Sequence, residues 1–147
     1  MGENYLEAFG KLGCKNLHVM DIRKREQSED LANIELMKKA DCVMFSGGNQ
    51  SNIKRKIGGT TLHKIMVKRY KKEHFVIAGT SAGAMCMSKK MITGGSSTES
   101  FIKGAVGIGK GMGFISNLII DSHFIRRGRF GRIAEAVAKY PKFLGIG

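Results

Sequence analysis

Apolar positions recur at two spacings along the chain, and the two alternate. Residues 4–12 place Tyr5, Leu6, Phe9 and Leu12 on one face, which predicts a helix. Residues 16–20 predict a short strand, and Ile34, Leu36 and Met37 punctuate an otherwise polar helix over about 29–40. The compact apolar run 41–45 reads as a strand. Beyond it, a short helix extends to the Gly58-Gly59 break, another covers 60–72, and residues 75–78 form a further strand. Residues 93–113 predict a loop: Gly94-Gly95-Ser96-Ser97-Thr98 has a flexible composition, and Gly107, Gly109, Gly111 and Gly113 alternate without matching a dinucleotide-binding fingerprint. A strand over 114–120 then runs into Asp121-Ser122-His123-Phe124. Phe130, Ile133, Ala134, Val137 and Ala138 follow at helical spacing up to Pro141, and residues 143–147 read as a last core strand.

Strands joined through helices predict an α/β fold, a three-layer sandwich around a mostly parallel sheet. At 147 residues, one domain spanning 1–147 is expected. It begins on a helix with no preceding strand and stops inside an apolar one, so the domain is expected to be incomplete at both ends.

The strongest local signal is Gly79-Thr80-Ser81-Ala82-Gly83, between an apolar strand and the start of a helix. This is the G-x-S-x-G elbow in its expected strand–turn–helix setting. A nucleophile on so sharp a turn needs small flanking residues. The helix N-terminus behind it offers free backbone N–H groups to a developing oxyanion, with Ala82 N–H the natural donor. Of the four histidines, His18 lies in a short strand, His63 among basic residues on a helix, and His74 at a strand entrance. His123 sits where an apolar strand ends, the edge at which open α/β sheets bind ligands. It is the candidate general base for Ser81, with a purely structural histidine the competing reading.

Arg126, Arg127, Arg129 and Arg132 crowd the start of the last helix, where cations oppose the macrodipole. Stability does not account for them. Guanidinium forks that grip carboxylates do, unless the segment is simply a solvated turn. Ser46-Gly47-Gly48-Asn49-Gln50 follows a core strand and is expected on the same sheet edge, with Gly48 a second oxyanion donor and Gln50 within reach of substrate.

Charge changes the picture only in part. Twenty-five basic residues against 12 acidic give a net charge of +13, which raises nucleic acid as a partner. The basic residues nevertheless fall in separate short clusters, Trp is absent, and no nucleic-acid motif is present, so neither nucleic acid nor a membrane is the expected partner. Cys14, Cys42 and Cys86 are scattered, with no metal-ligand or disulfide spacing, and no stretch has the length and apolarity of a membrane span or signal peptide. A cytoplasmic protein without metal or cofactor is the expectation.

Together, Ser46-Gly47-Gly48-Asn49-Gln50, Gly79-Thr80-Ser81-Ala82-Gly83-Ala84, Asp121-Ser122-His123-Phe124 and the spaced arginines resemble the serine peptidase family that contains cyanophycinase and aspartyl dipeptidase. The resemblance runs through the whole chain in order. It implies a flavodoxin-like fold akin to class I glutamine amidotransferases, with serine in place of cysteine at the elbow. It also implies hydrolysis of cyanophycin, a polyaspartate carrying arginine on each side chain, to β-aspartyl-arginine through an acyl-enzyme. Position by position, Ser81 matches the nucleophile, His123 the base, and Gly48 and Ala82 the oxyanion donors. Gln50, Asp121, Ser122, Arg127, Arg129 and Arg132 match substrate-binding positions, with Asp121 expected to meet the substrate guanidinium.

Ser122 departs from the glutamine usual in the family, which bears on substrate preference. The family's catalytic acid, a glutamate, follows the Gly145-Ile146-Gly147 that ends this chain. Within the chain Glu99, Asp121 and the mid-helix Glu135 are the nearest acids, and a chain truly ending at Gly147 is expected to have severely reduced activity. Aspartyl dipeptidase chemistry and a catalytically impaired module that binds acidic peptides are the alternatives. A homodimer is left open.

Overall fold

The computed structural model describes residues 2–95 and 104–147. The glycine- and serine-rich segment expected to be flexible, and Glu99 with it, lie largely or wholly outside the described residues. The described elements are helices α1 (Gly2–Lys11), α2 (Leu31–Lys39), α3 (Gln50–Ile57), α4 (Thr61–Lys72), α5 (Ala82–Met85) and α6 (Phe130–Lys139), and strands β1 (Cys42–Phe45), β2 (Val76–Gly79), β3 (Lys90–Gly94), β4 (Gly107–Lys110), β5 (Leu118–Ile120) and β6 (Leu144–Ile146).

This is a mixed α/β fold with parallel strand pairs. β1 pairs with β2 in parallel, from Cys42 opposite Val76 to Phe45 opposite Gly79. β5 pairs with β6 in parallel, from Leu118 opposite Leu144 to Ile120 opposite Ile146. Parallel pairing brings the carboxyl ends of β1 and β2 side by side, so residues 46–50 and 80–83 meet. The Thr80 N–H donates to the Phe45 carbonyl at 3.0 Å.

Two helices, α3 and α4, start where short polar side chains satisfy free backbone donors. Asn49 caps α3 by accepting from Asn52 N–H at 3.0 Å, which fixes the turn entering Gln50. Thr60 caps α4 by accepting from His63 N–H at 3.3 Å. One core cluster joins Met37, Phe45, Leu62, Met66, Phe75, Cys86, Met87, Met91, Met112 and Phe114; a second joins Met85, Ile92, Val106, Ile119 and Ala136. α5 packs against β1, β2 and β5, so the elbow sits where the strand pairs converge.

Three expectations change. Residues 16–20 form no strand among the described residues, and Val19 is half exposed. An extended segment becomes a strand only when a partner accepts its ladder hydrogen bonds. The helix expected over 29–40 is divided into a 3-10 turn at Arg25–Glu29 and α2, parted at Asp30, whose backbone is extended. The loop expected over 93–113 contributes to an antiparallel pair, with Met91 opposite Gly109 and Ile92 opposite Ile108. The alternating glycines have a packing reason. A Cβ at Gly107 would lie 2.9 Å from Thr93 Oγ1, and one at Gly109 would lie 3.0 Å from Thr93 Cγ2. Glycine every second residue keeps one face of β4 clear for Thr93.

Candidate active site

β2 ends at Gly79, the chain turns through Thr80 and Ser81, and α5 begins at Ala82. Ser81 has φ 51° and ψ −115°, a backbone region that side chains rarely adopt. The flanking glycines allow the turn to close. A Cβ on Gly79 would sit 2.5 Å from the Gly83 carbonyl carbon, and one on Gly83 would sit 2.2 Å from the Phe45 carbonyl oxygen. Both contacts are far inside van der Waals distance, so the spacing of the motif is a consequence of β1, β2 and α5 meeting here.

His123 reaches the same point from β5. Its Nε2 lies 2.9 Å from Ser81 Oγ. His123 and Ser81 are the described non-glycine residues with positive φ, His123 at 54°. An imidazole at this distance can take the hydroxyl proton as the oxygen attacks a carbonyl. His18 and His74 are exposed and lie elsewhere, and His63 is held between Gly59 N–H and the Met112 carbonyl.

Ser81 and His123 open onto a cavity of about 200 Å³ lined by, among others, Gly48, Gln50, Ala82, Ser122, Arg127 and Arg129. The remaining lining includes Met85, Thr93, Gly94 and Arg132. Gly48 adopts φ 125°, which a side chain would resist. Among the described residues, neither Gly48 N–H nor Ala82 N–H donates to a protein acceptor, while the next amides, Gly83 and Ala84, return to the Thr80 and Ser81 carbonyls. Gln50 donates from Nε2 to the Ile92 carbonyl at 2.9 Å, which fixes its side chain on the cavity wall. Ser122 Oγ lies 3.4 Å from Ser81 Oγ and donates to Met85 Sδ at 3.2 Å.

The arginines divide. Arg127 is exposed at the cavity mouth and forms no ion pair among the described residues. Arg129 donates to the Ser122 carbonyl at 2.6 Å. Burial, reinforced by the neighbouring Arg132 charge, holds its pKa below the usual arginine value. Arg132 donates from Nε and Nη2 to the two carboxylate oxygens of Asp121, at 2.9 and 2.7 Å. Asp121 was expected to face the substrate guanidinium; its side chain is wholly buried beneath the cavity, with both oxygens already engaged.

Glu135 Oε1 accepts from Gly104 N–H at 2.7 Å, away from His123. No carboxylate among the described residues is hydrogen-bonded to His123. Met85, Thr93 and Gly94 were not singled out from sequence. Thr93 and Gly94 reach the cavity because residues expected to be a loop form the end of β3, and Met85 because α5 turns it inward.

The model of peptidase family S51 matches residues 2–147. The chain is 37% identical to a cyanophycinase of Geminocystis herdmanii over all 147 of its residues, which are 54% of that protein. It is 35% identical to a cyanophycinase of Trichormus variabilis, covering 49% of it, and 26% identical to one of Synechococcus elongatus, covering 46%. The chain thus spans about half the length of the curated relatives it matches. Its fold is similar to the crystal structure of a peptidase from an acI-B1 actinobacterium, with a TM-score of 0.65 at 24% identity over 98% of this chain and 61% of that one. On the match along nearly its whole length, the chain belongs to peptidase family S51.

Proposed function

We propose that the protein is a serine peptidase acting on cyanophycin, with Ser81 as nucleophile and His123 as general base. The observation that carries this reading is the 2.9 Å contact between Ser81 Oγ and His123 Nε2 on a strained strand-to-helix elbow. Ser81 Oγ attacks the scissile carbonyl and gives its proton to His123, which passes it to the leaving amine. Backbone N–H groups of Gly48 and Ala82 receive the oxyanion, and water then releases the acyl group from Ser81. Arg127 holds a substrate carboxylate at the cavity mouth. Gln50, Ser122 and Arg129 shape the wall, with Ser122, shorter than the family's usual glutamine, leaving more room beside the nucleophile.

The test is incubation with cyanophycin beside a Ser81→Ala control. Release of β-aspartyl-arginine that vanishes in the control is the expected result; equal release by both proteins sinks the assignment of Ser81. A second reading, an acidic-peptide-binding module of impaired activity, is favoured by the lack of a carboxylate on His123 among the described residues. Loss of an orienting carboxylate costs about 10⁴ in rate in serine proteases. Cyanophycin binding without turnover would support that reading.

A further inference from the structure

We infer that the buried Asp121–Arg132 pair is a positioning device for His123, its carboxylate turned to the backbone and not to substrate; this deepens the proposed Ser81–His123 chemistry and rests on it. The Asp121 carboxylate is closed off. Arg132 takes both oxygens, and Oδ1 also accepts from Ser122 N–H at 3.0 Å, with Arg129 Nη1 at 3.5 Å. The carboxylate is 0% exposed and the Arg132 side chain 6%, so a substrate guanidinium has no free oxygen to meet.

What these bonds hold is the backbone leading into His123. The Ser122 N–H is held by Asp121 and the Ser122 carbonyl by Arg129. Arg132 also donates from Nη1 to the Gly95 carbonyl at 3.1 Å, tying α6 to the end of β3. His123 itself is exposed, on a turn, at positive φ, a conformation that costs a side chain about 1–2 kcal/mol and persists only where the surroundings enforce it. A buried ion pair is a weak source of stability against apolar residues of similar size, and Arg132 lies in the first turn of α6, against the helix dipole. Its geometric product is a fixed Asp121–Ser122 peptide, which together with the Arg129 bond to the Ser122 carbonyl sets the 2.9 Å reach of His123 to Ser81.

A small uncharged fluorophosphonate separates the roles, because it carries neither carboxylate nor guanidinium. On reaction Ser81 Oγ forms a bond to phosphorus, fluoride leaves, and the proton passes to His123. The variants are Asp121→Asn and the charge-balanced double change Asp121→Asn with Arg132→Gln, the second retaining a neutral pair should the first fail to fold. Labelling of Ser81 is expected to fall roughly ten- to a hundredfold in folded variants, as for a catalytic group displaced by about 1 Å. Labelling at the wild-type rate overturns the proposal. The His123 Cα and Cβ carbon shifts provide an independent readout of its positive φ. They are expected to move in both variants, and wild-type shifts in a folded variant also overturn the proposal. If the unmodified chain does not label at Ser81, the hydrolytic reading fails by itself, and the carbon shifts alone decide the role of the pair.

Discussion

Ser81 carries its side chain at φ 51°, in a region where glycine is favoured by about 1–2 kcal/mol. Part of that is returned, because glycine costs about 0.5–1 kcal/mol more in chain entropy on folding. Ser81→Gly is therefore expected to be more stable than Ser81→Ala by about 0.5–1 kcal/mol, measurable by urea denaturation, with both unreactive toward a fluorophosphonate. A less stable glycine variant would show that the elbow is not strained. The thiols differ as sharply. Cys86 is fully buried, its Sγ donating to the Gly83 carbonyl at 3.1 Å, and burial pushes its pKa up to about 12. Cys14 and Cys42 are exposed, with burial of the sulfur and the neighbouring Cys14 raising Cys42. At pH 8, iodoacetamide followed by mass spectrometry is expected to modify Cys14 fastest, Cys42 more slowly, and Cys86 only in denaturant. Native labelling of Cys86 would contradict its placement behind the elbow.

At the scale of elements, His63 ties α4 to both its neighbours. Gly59 N–H donates to Nδ1 at 2.9 Å, which leaves the proton on Nε2 to donate to the Met112 carbonyl at 2.8 Å. Burial, opposed by the Met112 bond and assisted by Lys54, lowers its pKa below the ordinary value of about 6.5. The unfolded chain then takes up this proton at a higher pH than the folded one does. The contribution of His63 is complete above about pH 6.5 and is lost as pH falls from there through the folded pKa. Comparing chemical denaturation at several pH values for wild type and His63→Gln checks this, and the substitution is expected to flatten the slope below that pH. An unchanged slope would place the titration elsewhere. β3 and β4 illustrate how an element hides from pattern reading: Gly107 and Gly109 remove the period-two apolar signal, and only their proximity to Thr93 explains them.

For the whole molecule, 25 basic residues face 12 acidic ones, and the imbalance is a self-repulsion that salt screens. Raising NaCl from about 20 to about 200 mM shortens the screening length from roughly 20 to roughly 7 Å. A rise in Tm of roughly 2–4 °C is expected in a thermal melt, equivalent to about 1 kcal/mol. A fall would mean that the ion pairs, such as Arg69–Glu73, outweigh the repulsion. The last strand is also instructive at this scale. β6 follows the expected apolar run, yet Leu144 is 65% exposed and Ile146 48%, while Gly145 is the residue that admits Ile133 and Val137.

Local sequence specified the α/β class, the amphipathic last helix and the glycine-flanked elbow at Ser81. Each of these is written in local periodicity or in a motif whose glycines answer to nearby backbone. Tertiary structure decided the rest. It paired β3 with β4, left residues 16–20 without a ladder, and sorted the arginines into one free of ion pairs among the described residues at the cavity mouth and two in its lining that grip Ser122 and Asp121. It also turned Asp121 from an expected ligand for substrate into the buried partner of Arg132. The physical reason is common to all four. A hydrogen-bond partner far along the chain, or the burial that makes an ion pair exclusive, leaves no periodic trace in the residues themselves.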